Sequence, residues 1–194
     1  MRETLHSQSH ESSNAAERKL AQWWENYLRG RTRARQHTLQ LFVRSQRPSV
    51  GTHAQRGKLF EQLREADESN RIDEYDTRVL GDGVCLCQRC RSGFGDRSLC
   101  ETVLELATWR DGDVTSTGFL EREVDCEFTG EQYRIIVPPE LTVGIYLDGS
   151  LAGVFPCAVE KTQYGVRALL AGLLEDLDPA EVSEASRRIS RSTP

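Results

Sequence analysis

The stretch LTVGIYLDGSLAGVFPC, residues 141–157, constrains the fold more than any other part of the chain. Its first half is nearly continuous in apolar residues, which marks a strand buried on both faces instead of one with a wet side. Asp148 and Gly149 then supply a dipeptide that tolerates the two positive φ angles of a type I′ turn, so the strand folds back on residues 150–157 as a hairpin. Such a hairpin sits inside a domain, and the other elements have to cover it.

The candidates for that cover alternate between strand and helix patterns. TLQLFVRS, residues 38–45, is a short apolar run of β-rich composition and predicts a first strand. Thr52 and Gln55 have the spacing of a capping box, and Leu59, Phe60 and Leu63 form one stripe of a helix reaching about Glu68. RIDEYDTRVLG, residues 71–81, predicts a second strand. A second helix starts near Asp96 or Ser98, turns Leu99, Val103, Leu104 and Ala107 inward, and stops at the turn-forming RDGD. The last helix is predicted in TQYGVRALLAGLLEDL, with Val166, Leu169, Leu170, Leu173, Leu174 and Leu177 on its apolar face.

Between these helices lies FLEREVDCEF, residues 119–128, with the clearest period-two alternation in the chain. Glu121, Glu123, Asp125 and Glu127 share one face, and Leu120, Val124, Cys126 and Phe128 share the other. The pattern predicts a half-buried strand whose acidic ladder is solvated, not a metal site. Thr129 and Gly130 turn it into EQYRIIV, and Pro138-Pro139 ends that segment.

The N-terminal part has a different character. Residues 1–13 are polar and lack hydrophobic periodicity, which predicts disorder. From Asn14, Leu20, Trp23, Trp24, Tyr27 and Leu28 fall at helical spacing, so residues 14–37 read as an amphipathic helix followed by a basic connector. Its aromatic face, with Trp23 and Trp24, is suited to packing on the domain, on a second copy or on a protein partner. Arg29, Arg31, Arg33 and Arg35 are suited to phosphates, with salt-dependent and sequence-blind affinity. The expected organisation is therefore a disordered segment 1–13, helix and connector 14–37, an α/β domain 38–177 and a polar tail 178–194.

Charge and hydropathy limit the partners. Net charge is −5. Residues 1–37 hold seven Arg/Lys against four acids, while residues 38–177 hold 15 against 23, so only the N-terminal part attracts nucleic acid. No run is long and apolar enough for a membrane span or a signal peptide, which predicts a cytoplasmic protein without a membrane partner. That compartment keeps thiols reduced, so the six cysteines read as free thiols or metal ligands.

The order strand, helix, strand, helix, acidic hairpin, tight hairpin, helix resembles the thioredoxin fold over residues 38–177. The carrying residues are LQLFVRS, Pro138-Pro139 before LTVGIYL, the turn Asp148-Gly149, and SLAGVFPC before the last helix. The resemblance implies a βαβ-α-ββα core, to which this chain adds an antiparallel hairpin and the N-terminal helix. In the redox members of that fold a Cys-x-x-Cys follows the first strand; here the loop is SQRPSVGTH and has no cysteine. Dithiol exchange at that position is excluded.

The thiols stand elsewhere, in CLCQRC after the second strand. Cys87-x-x-Cys90 has the spacing of half a zinc site, and Cys85 and Cys100 are the candidates to complete it, with His53 or Cys157 as alternatives if the carboxyl edge of the sheet brings residues 47–53, 85–90, Pro138-Pro139 and Cys157 together. The same loop also admits a thiol redox sensor, since Arg89 and Arg91 favour thiolates. A loop with incidental thiols remains the third reading. There is no G-x-S-x-G, P-loop or H-E-x-x-H, so no catalytic residue is assigned and no cofactor beyond zinc is indicated.

The segments LFVRSQRP, IDEYDTRVLGD, FTGEQYRIIVPP and GVFPC are similar to small proteins of halophilic archaea labelled as helix-turn-helix domain proteins. That resemblance implies DNA binding, although no helix pair with a basic second helix is visible in the sequence. Three readings follow: a non-enzymatic binding or regulatory protein, a zinc-binding or redox-sensing protein using residues 85–100, and a DNA-binding transcriptional regulator.

Overall fold

The computed structural model describes residues 4–45, 53–87, 97–125 and 130–175. Along the chain run α1 (Thr4–Arg31), β1 (His37–Val43), α2 (His53–Glu68), β2 (Glu74–Val79), β3 (Val84–Cys85), α3 (Arg97–Thr108), β4 (Arg110–Asp111) and β5 (Val114–Ser116). They continue as β6 (Leu120–Asp125), β7 (Gln132–Val137), β8 (Leu141–Leu147), β9 (Ser150–Phe155), β10 (Cys157–Val159), β11 (Thr162–Tyr164) and α4 (Val166–Glu175). Helices and strands share the chain in an α/β fold.

The central sheet has the order β2-β1-β8-β9. β1 and β2 are parallel, joined across α2, while β8 runs antiparallel to both β1 and β9. Asp148 and Gly149 form the expected turn, with φ of 50° and 79°. Alternation along β1 and β8 feeds two hydrophobic clusters. Leu39, Leu41, Val43, Val143 and Ile145 meet α1, α2 and α4 through Leu20, Trp23, Leu59, Leu63, Leu169, Leu170 and Leu173. On the opposite face Phe42 and Val154 meet Val103 and Leu106 of α3, together with Leu80, Val84 and Ile136. Each fully buried apolar side chain of this size contributes about 1.5–3 kcal/mol of transfer free energy.

Two glycines set how closely the layers approach. At Gly144 an added Cβ would meet Leu106 and Phe42, each at 3.3 Å, so the bare backbone lets α3 settle on β8. At Gly153 it would meet the indole of Trp23 at 2.9 Å, so that ring lies directly on β9.

Several expectations need correction. α1 begins at Thr4, well before Asn14, because extending a helix already nucleated at buried Leu20 and Trp23 costs little. It also belongs to the core rather than preceding it, although Leu28 is 36% exposed and leaves the aromatic face. Thr162–Tyr164, read as helix, is strand β11, and α4 starts after Gly165. In RDGD, Arg110 and Asp111 are strand β4 and Gly112-Asp113 turn it into β5, and β4, β5, β10 and β11 make a second sheet ordered β11-β10-β5-β4.

The largest correction concerns the acidic hairpin. β6 and β7 join β3 in a third sheet, ordered β3-β7-β6, and all six residues of β6 are exposed. The alternation is present but the strand is not half-buried: β6 is the edge strand of its sheet, with Leu120 53% and Val124 42% exposed. Cys126, Glu127 and Phe128 lie outside the described residues.

Candidate functional site

Strand alternation decides what the cysteines can do together. Val84 and its partner Ile136 point into the second cluster, so Cys85, paired with Ile135, points to the opposite, outer side of β3. The Leu86 amide donates to the Arg134 carbonyl at 2.8 Å and continues the pairing one step, with Leu86 packed inward. Cys87 then follows on the outer side, its amide donating to Cys85 Sγ at 3.4 Å.

Cys100 sits in the first turn of α3 as the zinc reading requires, and its thiol approaches the Cys85 carbonyl at 3.5 Å. It does so from the inner side, where it is 4% exposed in the second cluster. The β3 backbone therefore separates this sulfur from the Cys85 side chain. Cys157 is fully buried in the first cluster, where burial pushes its thiol up to about 12 and keeps it neutral.

The expected convergence at the sheet edge is formed only in part. Gly118 lies against Pro139 and Pro156, and Arg44 pairs with Glu140 at 2.7 Å, so the proline loop does reach the ends of β1 and β9. Cys85 and Cys157 do not share that place, because β3 leaves the central sheet to pair with β7 and Cys157 enters the sheet of β5 and β11. Among the described residues no three His, Cys, Asp or Glu side chains are grouped to hold a metal. The described donors, Cys85, Cys87 and Cys100, thus do not by themselves make a closed tetrahedral zinc site. Cys90 and the side chain of His53 lie outside the described residues.

The arginine segment is held more firmly than a flexible arm. Arg29 and Arg31 close α1, where cations complement the negative end of the helix dipole. The Arg33 and Ala34 amides both donate to the Gly30 carbonyl at 3.0 Å and wind the chain out of the helix. Next, Asp148 Oδ1 accepts the Arg35 and Gln36 amides at 2.9 and 3.0 Å, and the Asp148 amide donates back to the Gln36 carbonyl at 3.0 Å. Arg29, Arg33 and Arg35 are exposed, and Arg29 forms an ion pair with Glu25 at 3.3 Å. Arg31 is half-buried beside Tyr27 and His37 and faces the interior more than a partner.

Trp23 and Trp24, each 5% exposed, are not free for a partner. Trp23 stacks on Tyr27 at 5.8 Å and meets Trp109 edge-on at 6.0 Å, and Phe155 lies 5.8 Å away. The chain's own domain covers the aromatic face, because Gly153 leaves room for an indole on the sheet.

A buried polar pair fixes the start of β1. His37 Nδ1 approaches the Arg71 carbonyl at 3.2 Å and so carries the proton, which leaves Nε2 to accept from the Tyr27 hydroxyl at 2.7 Å. Burial is the main cause that lowers the His37 pKa to about 4, helped by the charge of Arg31, and burial raises that of Tyr27. With both ring nitrogens engaged, His37 is built for structure and not for proton transfer. Neither this pair nor the Asp148 clamp has a signal in the sequence beyond the residue types themselves.

No two successive helices among the described residues are joined by a short turn: β1 separates α1 from α2, β2 and β3 separate α2 from α3, and eight strands separate α3 from α4. Neither a curated protein nor a solved structure matches the chain. A family model described as "Helix-turn-helix domain" matches residues 31–178. That match begins inside the arginine segment and ends just beyond α4, spanning the central sheet and well over half of the sequence, and by it the chain belongs to the helix-turn-helix domain family.

Proposed function

We propose that the protein is a non-enzymatic binding protein of regulatory type, which holds a nucleic-acid backbone with Arg29, Arg33 and Arg35. The observation that carries this reading is the exposure of Arg29 at the end of α1 and of Arg33 and Arg35 on a connector clamped by Asp148. Family membership supports it. The central sheet, a parallel βαβ half joined to an antiparallel hairpin and helix, supports a thioredoxin-like core whose first loop lacks the redox cysteines. Binding of this kind is sequence-blind and salt-dependent, with non-specific dissociation constants of roughly 10⁻⁴–10⁻⁶ M at physiological salt.

Fluorescence anisotropy on a random-sequence duplex tests the reading. Each phosphate contact removed by Arg33→Ala or Arg35→Ala lowers the slope of log K against log salt by about 0.9. No binding by the intact chain, or a slope untouched in the double variant, overturns it.

A second reading rests on the half-exposed thiols of Cys85 and Cys87 on the outer side of β3. It makes residues 85–100 a zinc-binding or redox-sensing element in which Cys90 completes the donor set. Metal content well below one zinc per chain, unchanged by Cys87→Ser, ends the zinc form. A thiol count unaffected by mild peroxide ends the sensor form.

A further inference from the structure

We infer that the free edge of β6 is a docking site for an extended protein segment in which basic and apolar residues alternate. β6 pairs only with β7 among the described residues, so every second backbone N–H and C=O along Leu120–Asp125 points away from the sheet without a strand partner. An edge of this kind accepts a strand through main-chain hydrogen bonds, and the side chains select which strand.

The side chains of β6 carry a two-faced code. Glu121, Glu123 and Asp125 stand on one face, where Arg134 of β7 is the counter-charge: it bonds Glu121 and sits opposite Glu123. Among the described residues, three carboxylates against one guanidinium leave that face negative. Leu120 and Val124 stand on the other face, both exposed, and continue into half-buried Tyr133, Ile135 and Val137 of β7. Residues directly opposite each other in adjoining strands share a face, and opposite charges there attract while like charges repel. The strand that fits β6 therefore places cations against the acids and apolar side chains against Leu120 and Val124.

The same rule removes a second copy as the occupant. A two-fold pairing of β6 with itself keeps each face in register with itself, so every overlapping register sets acid against acid. Arg122, on the apolar face, would meet itself or displace a hydrophobic contact. The edge refuses its own kind and is complementary to a basic one.

The test uses the full chain and a labelled short peptide alternating lysine and valine, followed by anisotropy. A scrambled peptide of the same composition and a peptide alternating glutamate and valine serve as comparisons. So does a peptide N-methylated along one edge, which cannot complete the main-chain ladder. The alternating basic peptide binds, and the other three bind at least about tenfold more weakly, roughly the effect of exchanging two attractive cross-strand pairs for repulsive ones. Glu123→Lys with Asp125→Lys, both at exposed positions, reverses the preference toward the acidic peptide. Equal binding of the alternating and scrambled peptides, no binding of either, an unchanged preference in the double variant, or a dimer of the intact chain that the double variant dissolves overturns the inference. Because the peptide comparison is made on the unaltered protein, it decides the matter even where the double variant does not fold.

Discussion

The Tyr27 hydroxyl lies 2.7 Å from His37 Nε2 and binds the end of α1 to the first residue of the central sheet. With the hydroxyl donating, the imidazole is neutral, the form that burial favours. The folded pKa of about 4 lies below the usual value of 6.5, so between these limits the unfolded chain binds the extra proton and acid favours unfolding. Stability present above pH 6.5 is lost as pH falls toward 4, with a slope of at most about 1.4 kcal/mol per pH unit from this group. Denaturant titrations across the window should show the slope in the native chain and a flatter profile in His37→Asn. A native profile already flat there would contradict the assignment.

Trp23 resting on Gly153 makes a steric prediction. Gly153→Ala drives a methyl to 2.9 Å from both the indole and Ile145 Cδ1, and the aliphatic tip can yield where the ring, held by Tyr27 and Trp109, cannot. Overpacking of this sort costs about 1–3 kcal/mol. Thermal melts should show the loss together with a shifted tryptophan emission. Trp23→Ala should cost more, about 3–5 kcal/mol, because it leaves a cavity among Trp24, Tyr27 and Phe155.

Asp148 serves the turn and the connector at once. Asp148→Ala leaves two exposed amides to water and puts an alanine at φ 50°, so a loss of about 1–2 kcal/mol is expected, while Asp148→Asn retains an acceptor and loses less. Neither change touches the arginine charges. On the proposed nucleic-acid reading the salt slope should stay the same as affinity drops, and a reduced slope would mean that Asp148 acts on the phosphate contacts themselves.

The four described cysteines should differ in reactivity. Iodoacetamide on the native protein near pH 8 is expected to modify Cys85 and Cys87 and to spare Cys157, whose thiol is buried and pushed up to about 12. Mass spectrometry of digests reads the pattern. Rapid native labelling of Cys157 would show that the first cluster opens readily.

Long periodic segments were legible in the sequence and short or three-dimensional features were not. The double-faced strand, the Asp148-Gly149 turn and helices α2 and α3 stand close to where their patterns put them. β4, β5, β10 and β11 have two or three residues each, too few to show a period, and Thr162–Tyr164 was absorbed by the helical pattern that follows it. The alternation of β6 was read correctly, yet its burial was not, since period two reports two unlike faces and not what covers them. Cys100 illustrates the same limit at the candidate site: its position at the start of α3 was foreseen, and only the pairing of β3 with β7 tells on which side of Cys85 it arrives.

The clamp at Asp148 has a consequence for recognition. With Tyr27 bonded at one end of the connector and Gln36 at the other, the backbone that carries Arg33 and Arg35 is held at both ends, so the phosphate binding proposed above would have mainly the long side chains left to order. On that proposal the guanidinium groups would act as a ruler instead of a net, and a polyanion whose phosphates suit their spacing would be favoured even where no base edge is read.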